Sequence, residues 1–70
     1  MTEKKITRLL DQASEAKDNG DFDDAKRLTL QAIVGISTEQ EHFLTGLGQT
    51  ATAQQLADWF GQCSFVFNAV

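Results

Sequence analysis

The segment EAKDNGDFDDA, residues 15–25, decides the fold. Gly20 is a natural left-handed stop for a helix arriving from the N-terminal side. Asp21 next to it can accept from the amides of a following turn. Asp23 and Asp24 place negative charge at the positive end of that second helix. One helix ending and another starting within two residues predicts an antiparallel helical hairpin.

Outward on the N-terminal side, Ile6, Leu9, Leu10, Ala13 and Ala16 recur at helical spacing. Arg8, Asp11, Glu15 and Asp18 fall on the opposite face. Thr2 can cap this helix, and Glu3 suits its dipole. Outward on the other side, Phe22, Ala25, Leu28, Ala32, Ile33 and Ile36 form one apolar face, while Leu30 and Val34 fall on a second. A helix apolar on two sides is central in a bundle or covered by a partner.

Near Gly35 two readings compete. Ser37-Thr38-Glu39-Gln40 matches a capping box, which favours a break and a further helix to about Leu47. Ile36, Phe43 and Leu47 nevertheless keep the register of the preceding helix, so one helix from Phe22 to Leu47 is the alternative. Gly46 and Gly48 close this region, and Thr52-Ala53-Gln54-Gln55 is a second capping box. Behind it Leu56, Trp59, Phe60, Cys63, Phe67 and Val70 recur every three or four residues. The tail Ser64-Phe65-Val66-Phe67 also alternates like a strand, but one isolated strand is not stable alone.

The expected architecture is a single all-α domain over residues 1–70, a small bundle of three to four helices built on the N-terminal antiparallel hairpin. The helices are expected near residues 3–19, 22–36, 38–47 and 52–66. The expected core is Ile6, Leu9, Leu10, Ala13, Phe22, Ala25, Leu28, Ala32, Ile33, Ile36, Phe43, Leu47, Leu56, Trp59 and Phe60.

Ala13, Gly20, Phe22, Ala25 and Ala32 stand at the spacing of a tetratricopeptide hairpin, which a stretch of about 25 residues here resembles. The pattern is departed from at Gln12, where that repeat usually has Leu, at Thr29, where it has an aromatic, and at Ser37, where a Pro closes it. No second copy follows. The resemblance implies two antiparallel helices packed closely through alanines.

Charge divides the chain. The formal net charge is −4, from ten acids and six bases, and all six Lys and Arg lie at or before Arg27. Beyond it only Glu39, Glu41 and Asp58 are charged. An acidic chain is a poor direct ligand for polyphosphate backbones, so no direct nucleic-acid contact is expected. No apolar run reaches membrane-span or signal-peptide length, so no membrane contact and a cytoplasmic location are expected.

The chemistry-bearing residues are few. Glu39 and His42 have the Glu-x-x-His spacing of di-iron bundles, but His42 is the only histidine and a second pair is lacking. Cys63 is the only cysteine and has no base near it in sequence, which suits a buried structural thiol. Gly46-Leu47-Gly48 lacks the third glycine of a dinucleotide loop. No catalytic, metal or cofactor site is therefore expected, and the chain does not read as an enzyme.

A half-chain low in charge and rich in aromatics has the composition of an interface core. Leu30, Val34, Trp59, Phe65, Val66, Phe67 and Val70 are the expected interface residues. The expected function is a non-catalytic interaction module, an adaptor or regulator of bacterial or phage size, with a protein partner and a homodimer as its assemblies. Asp11, Glu15, Asp18, Asp21, Asp23 and Asp24 support an alternative, an acidic decoy for a basic nucleic-acid-binding surface. A metal- or ligand-binding bundle is the third reading.

Overall fold

Capping residues set the helix ends. The computed structural model describes residues 3–46 and 51–69, and among them it is all helix, with no strand. Helix α1 runs Glu3–Asp18, α2 Phe22–Thr45 and α3 Ala53–Ala69. The Thr2 cap, Leu47, Gly48 and Val70 lie outside the described residues.

Gly20 ends α1 at φ +80. Its N–H donates to Lys17 O at 3.0 Å, and Asp21 N–H donates to Ala16 O at 2.8 Å. Those two bonds are the Schellman pair, and they satisfy carbonyls that the helix end would otherwise leave open. Asp21 then accepts from Asp24 N–H at 3.4 Å, as its place before α2 predicts. Thr52 caps α3 in the same way, its Oγ1 accepting from Gln55 N–H at 3.1 Å.

α2 is where expectation and structure part. It crosses Gly35 and Ser37 unbroken and stops only at Gly46, which takes φ +68 and donates its N–H to His42 O at 2.9 Å. The expected separate helix over 38–47 is therefore the last part of α2, and the bundle has three helices among the described residues, not four. Ser37, the expected cap, is an interior residue of α2, and beside it the Thr38 hydroxyl donates back to Val34 O at 3.2 Å. Burial decides the outcome. Ile36 is fully enclosed, and enclosing such a side chain is worth about 1.5–3 kcal/mol. An interior glycine costs about 1 kcal/mol, and a break would also leave four backbone groups open at each new end.

α1 and α2 pack most extensively, and α3 lies against both. The core joins Ile6, Leu9, Leu10 and Ala13 of α1, Ala25, Leu28, Ala32 and Ile36 of α2, and Leu56, Trp59, Cys63 and Val66 of α3, with Ala51 before it. Ala13, Ala25 and Ala32 have no exposed surface, so small side chains let the first two helices approach closely. Ile33 is only partly buried against this core.

Three residues expected in the core lie outside it. Phe22 is exposed at the first position of α2, and Phe60 is exposed at the edge of the buried stripe of α3. Phe43 keeps the core register of α2 yet is 42 % exposed. α2 is longer than α1 by 24 residues against 16, about 12 Å at 1.5 Å per residue. Its last turns outrun the hairpin, and residues 40–46 are all exposed. Conversely Thr29 is fully buried, with its hydroxyl donating to Ala25 O at 2.8 Å, and Glu39 is buried although charged.

Candidate protein-contact surface

α1 and α3 both cover the side of α2 that carries Ala25, Leu28, Ala32 and Ile36. The other side of α2 is exposed at Lys26, Leu30, Val34, Thr38 and Glu41. Leu30 is 55 % and Val34 66 % exposed there, and Leu44 near the end of the helix is 75 % exposed. Between Arg27 and Glu39 this helix has no charged residue, and Gln31, Ser37 and Thr38 are exposed beside the two aliphatics. The result is an apolar strip edged by amide and hydroxyl groups, with charge only at its two ends: Asp23, Lys26 and Arg27 at one, Glu41 at the other.

The C-terminal aromatics divide differently. Trp59 is 1 % exposed, and its Nε1 donates to Thr7 Oγ1 at 3.4 Å. Val66 is fully buried. Trp59 and Val66, both expected at an interface, thus sit inside the chain's own core and offer it no surface. Phe67 is half-buried. Phe65 is exposed, but the Lys17 ammonium lies over its ring, 3.8 Å from the centroid. Lys17 is itself mostly covered and also pairs with Asp18 at 3.8 Å. This cation–π contact ties the end of α1 to α3. Of the expected interface residues that are described, only Leu30 and Val34 come together on one uncovered face. Leu44 extends that face, and the sequence reading missed it because the expected break at Ser37 placed it on another helix.

The acidic residues gather at the α1–α2 turn. Glu15, Asp21 and Asp24 line a groove with Gln12, Asn19 and Arg27. Arg27 Nε donates to Asp24 Oδ1 at 3.0 Å and its Nη2 to the same oxygen, so a cation sits within the acidic cluster.

Glu39 and His42 do not form a ligand pair: Glu39 is buried against the bundle and His42 is exposed. No group of three or more His, Cys, Asp or Glu side chains that could hold a metal occurs among the described residues. Cys63 is free and buried, and desolvation pushes its thiol above its usual pKa, partly offset by a backbone hydrogen bond. A thiol held protonated is a poor nucleophile. Among the described residues no helix is long and apolar enough to cross a membrane.

No protein-family model matches the chain, and neither a curated protein nor a solved structure matches it.

Proposed function

We propose that this chain is a non-catalytic interaction module that binds another protein through the outer face of α2. The observation carrying this reading is the strip of Leu30 and Val34, more than half exposed on a charge-free stretch that neither neighbouring helix covers. Lone exposed aliphatics are ordinary. These two are one helical turn apart, with Leu44 exposed further along the same outer side, and bordered by groups that hydrogen-bond without the desolvation cost of a full charge. Amphipathic helices dock through anchors at this spacing.

The test compares affinity capture by the parent chain and by the Leu30→Asp, Val34→Asp variant. Both sites are exposed, so the fold should tolerate the change. A protein held by the parent in high salt and released by the variant supports the reading. A partner held equally by both chains refutes it. A partner lost from the parent on raising salt points instead to the acidic turn and the decoy reading. Arg27 and Lys17 within that turn weaken the decoy reading by lowering its net charge.

A further inference from the structure

We infer that the partner this face fits is a second copy of the chain, with the two α2 helices antiparallel and the two-fold axis beside Val34. This rests on the reading of the α2 outer face as a protein-contacting surface and adds its occupant and geometry. Arg27, Val34 and Glu41 are each seven residues apart on one continuous helix. Seven residues are nearly two full turns, so the three share a face with a drift of about 20° per step. All three are exposed. Arg27 and Glu41 therefore lie about 10.5 Å to either side of Val34 along the axis.

A two-fold axis through Val34 carries Arg27 of one copy onto Glu41 of the other, and does so twice. Leu30 lies four residues to one side of Val34 and Thr38 four to the other, so the centre of the contact is Val34 against Val34, flanked on each side by Leu30 against Thr38. No charge is trapped there. A parallel pairing would instead set Arg27 against Arg27 and Glu41 against Glu41, which the charge order along α2 disfavours. The unbroken path of α2 through Gly35 is what makes the pattern available, because a break there would turn Glu41 away from Arg27. One helix face is a small interface, so the dimer is weak and concentration-dependent.

Sedimentation equilibrium from about 10 µM to about 1 mM covers the range of such a contact. The parent should pass from one chain per particle toward two. Arg27→Glu and Glu41→Arg should each weaken association by about tenfold, since each replaces two attractions by two repulsions. The double variant R27E/E41R restores both pairs and should regain the parent's affinity. Circular dichroism of every variant excludes loss of helix as the cause, and Glu41→Arg leaves the Asp24–Arg27 pair untouched. Single variants that dimerise like the parent, or a double variant no better than the singles, would overturn the antiparallel pairing. A parent that stays monomeric at about 1 mM yet still holds another protein through Leu30 and Val34 would overturn the dimer alone and leave the module reading standing.

Discussion

Replacing Trp59 by Ala removes the largest fully buried side chain among the described residues. It is 1 % exposed, and its Nε1 hydrogen-bonds α3 to α1 at Thr7. Truncating a buried aromatic to Ala costs about 3–5 kcal/mol. A 70-residue domain holds roughly 3.5–10 kcal/mol in total at 0.05–0.15 kcal/mol per residue. Trp59→Ala should therefore remove from about a third to all of the stability. Trp59→Phe keeps most of the ring volume and loses the bond to Thr7, so it should cost only about 1–2 kcal/mol. Urea titration followed by circular dichroism measures both. The Ala variant should unfold at far lower urea than the parent or already be unfolded without it, and the Phe variant should show a modestly lowered midpoint with an unchanged slope. In the parent, Trp59 is the only tryptophan, so its fluorescence and the helix signal should change together as one transition. An Ala variant with the parent's midpoint would refute the packing of α3 on the hairpin.

Smaller effects should follow from the helix ends and the α1–α3 contact. Gly46→Ala has open space for its methyl group but is held at φ +68, so it should lose about 1–2 kcal/mol in the same titration. Thr52→Ala removes the cap of α3 and should cost about 1 kcal/mol. Lys17→Ala removes the cation over Phe65 and should cost about 0.5–1 kcal/mol, with Lys17→Arg close to the parent. Cys63 should resist thiol reagents in the folded chain and react freely in denaturant. Its raised pKa has a defined sign: the folded state holds the thiol proton more tightly than the unfolded chain. Its contribution is therefore complete below the unfolded pKa and lost as pH rises into the alkaline range, which alkaline urea titrations of the parent and Cys63→Ala should show.

Local chemistry was the legible part of the sequence. Gly20, Asp21, Gly46 and Thr52 mark ends that the structure places within a residue or two, because each acts through bonds to near neighbours. The core face of α1 was legible for a related reason: Ile6, Leu9, Leu10 and Ala13 fall on one narrow stripe. The exposures of Phe22, Phe43 and Phe60 were not legible, since they depend on where neighbouring helices stop. The end of α3 also needed the structure. Phe65 and Val66 alternate like strand residues, but burial of Val66 in register with Trp59 and Cys63 keeps them helical. The outer face of α2 was half visible. Leu30 and Val34 stood out as a second face, but the alignment of Arg27, Val34 and Glu41 exists only if the helix does not break at the Ser37 capping box.

That continuity is the claim on which the contact surface depends, and backbone chemical shifts measured residue by residue test it most directly. Uninterrupted helical shifts from Phe22 to Thr45 are predicted, with slow amide exchange at Ile36 and Glu39. Non-helical shifts at residues 35–37, with fast exchange at Ile36, would contradict it and separate the two ends of the proposed surface.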